Sequence, residues 1–260
     1  MKHFLTIDVE DWYRGTDMPG NGSGHDLRPA MENILQVLEE CKTSATFFIL
    51  ADDAPVLKDI IRKCAKAGHG VACHGMTHRR VDETPAAEFR SGLKKAKSVI
   101  EDITGMRCPG FRAPYFSVNQ NLKWFFEILA EEGFSYDSSL RIDAGLIGKS
   151  ISQIPGIIEV PVPLVRLGFY RLGILGGLSL RILPGFAIPM LMRYCERIQQ
   201  PACIYLHPYE WQGIPEGTEL PWRKKTRRTL LVTRTLPRLR KLASSFQLSS
   251  IEQTLCLPSV

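Results

Sequence analysis

Two histidines four positions apart, His74 and His78, sit in the stretch Cys73-His74-Gly75-Met76-Thr77-His78. Neutral imidazole nitrogens bind divalent metals near pH 7, and on a helical turn the two rings would share one face. A catalytic metal needs at least one further ligand, usually a carboxylate. Candidate acids come early, where Asp8, Glu10 and Asp11 follow the apolar run Phe4-Leu5-Thr6-Ile7. Alternation along a strand points Asp8 and Glu10 to one side and Asp11 to the other. Acids ending a buried strand cost desolvation energy unless a metal or a cation compensates them. The plain alternative is a helix cap or a solvated loop. Arg112, Asp137 and a third histidine, His207, are the other residues with chemistry to offer. Cys73 could be a ligand beside His74, although a small buried hydrophobe is the commoner role.

The elements that must position these residues follow from periodicity. Residues 4–9 read as a buried strand, and residues 15–28 as a glycine-rich loop. Helical spacing covers residues 26–41, with Met31, Ile34, Leu35 and Leu38 on one face. Strands at 45–50 and 71–73 alternate with helices at 55–67 and 85–104, and a fourth strand is approached at 108–112. A helix over 119–132, a short strand ending at Asp137 and a late strand at 202–206 follow. Strand and helix in alternation predict a parallel sheet or barrel. The carboxyl ends of barrel strands form the active face, and Asp8, Glu10, His74, His78, Arg112 and His207 all fall there. Residues 141–190 form a poorly periodic insertion. Neither a repeat nor a linker divides the chain, so residues 1–260 are read as one domain.

A chain of 260 residues, 44% hydrophobic and 23% charged, supports a sizeable core. Seven scattered cysteines, an odd number, predict reduced thiols rather than a disulfide framework. Met1 and Lys2 lead straight into the first strand without an apolar leader. The most apolar zone, 172–192, is broken by Arg181 and by glycines and prolines, so it falls short of a membrane span. These features together predict a soluble cytoplasmic protein.

Five motifs stand in order: Thr6-Ile7-Asp8-Val9-Glu10-Asp11, His74-Gly75-Met76-Thr77-His78, Arg112-Ala113-Pro114-Tyr115, Asp137-Ser138-Ser139 and Leu206-His207-Pro208. In these the chain resembles the NodB-homology polysaccharide deacetylases, the fourth family of carbohydrate esterases, and most of all their cytoplasmic, exopolysaccharide-associated subgroup. The resemblance implies a distorted (β/α) barrel and metal-dependent removal of N-acetyl groups from amino sugars of a polysaccharide or its lipid-linked precursor. It implies that His74, His78 and one acid of the first motif hold a divalent metal, usually zinc. Asp8 would be the catalytic base, oriented and kept ionised by Arg112. The backbone N–H of Tyr115 would stabilise the oxyanion, and His207 would protonate the leaving amine, with Asp137 fixing its tautomer. The family's first motif commonly has two adjacent aspartates, whereas here the metal acid is Glu10 or, should the chain bulge after Val9, Asp11.

Other residues read more plainly. His3 and His25 lie outside every motif, His69 sits at a turn, and Glu210 is read as a surface acid. Trp12 and Trp211 flank site motifs and could stack on sugar rings, with packing as the ordinary alternative. From Leu220 to Ile251 there are nine cations and no acid. That is either a solvated face or a contact with anionic membrane; nothing resembles a nucleic-acid recognition motif. Two rival functions remain open at this level: hydrolysis of a small cyclic amide, as in an allantoinase-like relative of the family, and a catalytically inactive carbohydrate-binding barrel.

Overall fold

The computed structural model describes residues 1–14, 26–143, 156–167, 170–173, 175–216 and 218–257. Most of the glycine-rich loop, His25 and residues 144–155 of the insertion lie outside them. The first strand, β1 (Lys2–Val9), lies second from one edge of a parallel sheet and pairs with three other strands. On one side β2 (Thr46–Ile49), β3 (Gly70–Cys73), β4 (Gly110–Phe111), β5 (Tyr136–Asp137) and β7 (Ile158–Glu159) follow it in that order, and on its other side is β10 (Cys203–Leu206). Late in the chain, β11 (Gln247–Ser249) also pairs with β1, at its first residues. Part of the insertion forms a second sheet, in which β8 (Val162–Leu167) lies between β6 (Arg141–Asp143) and β9 (Tyr170–Gly173). The main sheet curls with helices outside, which makes the chain a single-domain distorted (β/α) barrel.

Three long helices cover the outside: α1 (Arg28–Glu40), α2 (Ala54–Lys66) and α3 (Ala86–Thr104). Proline enters the first turn of both α1 and α2, where its missing N–H costs nothing. The fourth helix, α4 (Lys123–Glu131), begins later than the spacing predicts. The Asn119 side chain accepts a hydrogen bond from the Asn121 N–H at 2.9 Å, a local turn that competes with the helix.

Alternation decides what each strand residue does. Leu5, Ile7 and Val9 join Phe47, Ile49, Cys73 and Phe111 in the core beneath the helices. The intervening residues face inward, where Phe4, Phe48, Ala72, Tyr136 and Cys203 form a second, smaller cluster. Thr6 and Asp8 are on this inner side, both buried. The inside of the barrel is therefore apolar below and polar towards the carboxyl ends. All seven cysteines are unpaired, and Cys73 is buried, its thiol pushed up by burial to about 12.

Candidate metal and catalytic centre

Glu10, immediately after β1, meets the two histidines that follow β3. Its Oε2 lies 2.5 Å from His78 Nε2 and 3.7 Å from His74 Nε2. One ligand atom from each of the three lies within 4.8 Å of the others. The turn from His74 to His78 is not helical. Gly75, at φ 102°, reverses the chain instead and sets the ring centroids 5.6 Å apart. His74 Nδ1 is 2.8 Å from the Arg112 carbonyl oxygen, which can only accept, so Nδ1 carries the proton and Nε2 keeps its lone pair.

This donor set fits a divalent cation. Glu10 Oε2 is buried and has no hydrogen bond of proper geometry, although an imidazole nitrogen stands against it. Burial alone would raise the Glu10 pKa, but His78, His74 and His207 outweigh it and hold the carboxyl well below its usual range. A carboxylate oxygen and two imidazole nitrogens converging at one point match a two-histidine, one-carboxylate site. Asp11 turns elsewhere: its Oδ1 accepts the Trp12 N–H at 2.6 Å.

Asp8 is held from below. Arg112, fully buried, donates from Nη1 to Asp8 Oδ1 at 2.6 Å and to Thr6 Oγ1 at 2.8 Å. Its other nitrogens donate to the Ser138 carbonyl at 3.1 Å and hydroxyl at 2.7 Å, and its plane lies 4.2 Å from the Phe48 ring centroid. Across the cleft, His207 Nε2 is 3.8 Å from Asp8 Oδ2 and 3.4 Å from Glu10 Oε1. Tyr115 begins a turn after β4 in the left-handed region, φ 59°, as does Phe116 at φ 52°, and its ring lies 4.3 Å from that of His78. Two successive non-glycine residues in this region store strain of about 1–3 kcal/mol each. The turn is braced by Ser117, whose hydroxyl accepts from the Val81 N–H and donates to the Pro114 carbonyl.

The acid set against His207 is Glu210, not Asp137. Glu210 Oε2 accepts the His207 backbone N–H at 3.0 Å and lies 3.2 Å from its Nδ1. Burial would lower the His207 pKa, but Glu210, then Glu10 and Asp8, raise it to about 9. Arg181, on α5 (Gly177–Ile182), the helix before α6 (Ala187–Arg197), stands 3.5 Å from Glu210. A Cβ on Gly177 would fall 1.8 Å from Glu210 Oε2, so glycine there makes room for the carboxylate. The short helix α7 (Tyr209–Gln212) buries Glu210 and brings it back beneath His207. A signal was present in the i, i+3 spacing of His207 and Glu210.

Asp137 is buried one strand away. It accepts from the Ser139 hydroxyl at 2.6 Å and backbone N–H at 3.1 Å, and its register partner on β7 is Glu159. Burial drives both carboxyls up, Asp137 to about 6 and Glu159 well above its usual range, because two adjacent buried carboxyls cannot both ionise. Trp12 and Trp211 are packing residues. Trp12 is buried, and Trp211 donates its indole N–H to the Ala30 carbonyl at 3.0 Å. The aromatic rings on the cleft are instead Tyr115, Phe116, Tyr205 and Tyr209. The cleft has a volume of about 550 Å³; a larger hollow of about 920 Å³, lined by Lys2, Ser44 and Gln247, opens at the opposite ends of the strands and holds none of these groups.

Residues 17–134 match the family model described as polysaccharide deacetylase, and residues 147–256 match a domain of unknown function, DUF3473. Over 95 residues the chain is 28% identical to the peptidoglycan-N-acetylglucosamine deacetylase of Bacillus cereus, 36% of this chain and 34% of that one. It spans about a third of the length of the curated relatives it matches first. The fold is shared with a Mycobacterium smegmatis protein classed with the polysaccharide deacetylases (TM-score 0.63, 16% identity, 98% of this chain and 90% of that one). It is shared too with a CE4-family pseudoenzyme of Bacillus anthracis (TM-score 0.53, 15% identity, 98% and 66%). Residues 17–134, just under half of the chain, are thus similar in sequence to the polysaccharide deacetylases, and the fold as a whole is theirs.

Glu10→Ala and His78→Ala should each abolish stoichiometric zinc binding in equilibrium dialysis, whereas Asp11→Ala should retain it; zinc lost only from the Asp11 variant would reverse the ligand assignment. A second test concerns Glu159. Both carboxyls of its pair hold protons more tightly folded than unfolded, so their contribution to stability is complete below about pH 4. It is lost as pH rises through about 6 and beyond. Glu159→Gln keeps a donor for Asp137 and an acceptor for the Leu140 N–H. The wild-type melting temperature should therefore fall relative to that variant as pH rises from 5 to 9; parallel curves would show that the pair does not share a proton.

Proposed function

We propose that this chain is a zinc-dependent N-deacetylase acting on amino sugars of a polysaccharide or its lipid-linked precursor, in exopolysaccharide synthesis. The observation that carries the reading is the convergence of Glu10, His74 and His78 beside an Asp8 held by Arg112, with His207 opposite. A divalent ion held by Glu10, His74 and His78 would polarise the acetamide carbonyl and acidify water. Asp8 accepts the proton of the attacking water; Arg112 fixes its orientation and stabilises its charge. The Tyr115 N–H, at its left-handed corner, donates to the developing oxyanion. His207, protonated at neutral pH with a pKa near 9, gives its proton to the leaving nitrogen as the C–N bond breaks. Acetate and a free amine result. Glu210, rather than Asp137, keeps His207 charged and oriented.

The intact base, ligand and acid set argues against an inactive binding barrel, since binding alone requires none of these groups together. Asp8→Asn should lower acetate release from chitin oligosaccharides by about 10²–10⁴-fold, the usual worth of a general base, with zinc content unchanged. Full activity in that variant would remove Asp8 from the mechanism. Metal-stripped protein should release no acetate until zinc or cobalt is restored.

We also propose a cytoplasmic enzyme working at the inner face of the membrane. Seven unpaired cysteines support a reducing compartment. The helix α8 (Trp222–Thr229) presents an exposed Trp222 beside exposed Arg223 and Lys225, a combination suited to anionic lipid. Several other cations of the C-terminal segment are already engaged: Arg228 with the Trp12 and Arg14 carbonyls, Arg238 with those of Leu180 and Leu183, and Arg240 with Glu40. No helix among the described residues is long and apolar enough to cross a membrane. Sedimentation with anionic liposomes should show binding that weakens with salt and drops in Trp222→Ala; salt-independent failure to bind would refute peripheral attachment.

A further inference from the structure

Seven arginines and lysines but only three carboxylates line the catalytic cleft. The three acids are already committed: Asp8 to Arg112, Glu10 to the histidines, and Glu210 to His207 and Arg181. Four of the cations also have work within the protein or neighbours of their own. Arg14 pairs with Asp52 and Asp53. Arg228 is buried and ties α8 to the end of β1 by donating to the Trp12 and Arg14 carbonyls. Arg181 donates to the Arg227, Arg228 and Leu230 carbonyls at the end of α8, and Lys224 is partly buried. These bonds fix α8 beside the cleft.

Arg141, Arg223 and Arg227 remain. Each lines the cleft, and none has a carboxylate partner among the described residues. Arg223 and Arg227 are one helical turn apart, so they share a face of α8. Arg141 comes from β6, and its guanidinium lies 4.4 Å from the Phe116 ring centroid, which holds it in place by a cation–π contact. Like charges gathered in one cleft repel each other, and a neutral sugar gives nothing back for that cost. A guanidinium fork matches the paired oxygens of phosphate or carboxylate, and a cleft of one sign focuses its field on an incoming ion of the other.

We infer that the substrate is an anionic acetamido sugar, whose phosphate or carboxylate oxygens are bound by Arg141, Arg223 and Arg227 while its acetamide sits at the Glu10–His74–His78 centre. This inference rests on the deacetylase reading for the position of the acetamide, but the recognition of charge is testable separately. Two sources offer the same chemistry: a sugar diphosphate, and uronate residues within an acidic glycan.

The test is calorimetric binding to zinc-loaded Asp8→Asn protein, in which the asparagine oxygen still accepts from Arg112. Three probes are compared: neutral chitotetraose, a hyaluronan tetrasaccharide carrying carboxylates, and UDP-N-acetylglucosamine carrying a diphosphate. At least one anionic probe should bind tenfold or more tightly than chitotetraose at low salt, and its advantage should shrink as salt rises. Tighter binding of the diphosphate would identify an activated sugar, and of the tetrasaccharide an acidic polymer. Arg223→Ala/Arg227→Ala should erase the advantage, and Arg141→Gln, on a different element, should reduce it. An anionic preference that survives all three substitutions overturns the assignment, as does no preference among the probes, absence of binding included. Acetate release by the wild-type protein is read from the same probes. Anionic preference without acetate from any of them would sink the deacetylase reading and leave charge recognition standing. Acetate from chitotetraose bound as tightly as the charged probes would do the opposite.

Discussion

A guanidinium with no access to water, that of Arg112, is the constraint on which the rest of this structure depends. An isolated buried charge costs several kcal/mol even after relaxation, and removing one partner of a buried pair costs about 3–5 kcal/mol. Arg112 therefore requires Asp8 and Thr6 from β1, and the Ser138 carbonyl and hydroxyl from the turn after β5. Its backbone carbonyl also sets the tautomer of His74. The residue that orients Asp8 thus also fixes the neighbouring His74. Polar groups inside a barrel are tolerable only when fully connected, and here the connections run through Asp8, Thr6, Ser138 and His74.

Charge is then divided by neighbours. Glu10 stays anionic despite its burial because three imidazoles face it, and His207 stays cationic because Glu210 lies beneath it. Asp137 is set against Glu159 instead, and burial drives the two upward together. Carboxylates with similar burial take on opposite roles according to what stands within a few ångströms.

The centre is assembled from stretches far apart in the chain. Asp8 and Glu10 precede the segment that matches the deacetylase model; His74, His78 and Arg112 lie within it; Arg181, His207 and Glu210 lie in the second matched segment. Parallel pairing of β10 with β1 carries His207 to Asp8, with Ile7 opposite Leu206. The residues after β10 supply both the acid that supports His207 and the helix whose cations edge the cleft. The second segment is thus part of the site and of the main sheet.

Local chemistry was enough to place much of this. Alternation in Thr6-Ile7-Asp8-Val9-Glu10 put Asp8 and Glu10 on one side, and helical spacing located α1 to α3 within a residue or two. Strand ends gathered the candidate residues because a parallel sheet aligns its carboxyl termini by construction. What tertiary structure alone decided was which side chains meet. Asp137 and Glu210 are both acids near a motif, and the i, i+3 spacing of Glu210 from His207 is only a weak local hint; pairing of β5 with β7 gave Asp137 to Glu159, and the turn of α7 gave Glu210 to His207. Trp12 and Trp211 were equally open to sugar or core until packing buried the one and bonded the other to Ala30. The basic segment was a composition without direction until Arg228 and Arg181 anchored α8 beside the cleft. Periodicity reports which face of an element is buried, whereas a partner across the fold is set by strand order and by close packing, which no window of sequence contains.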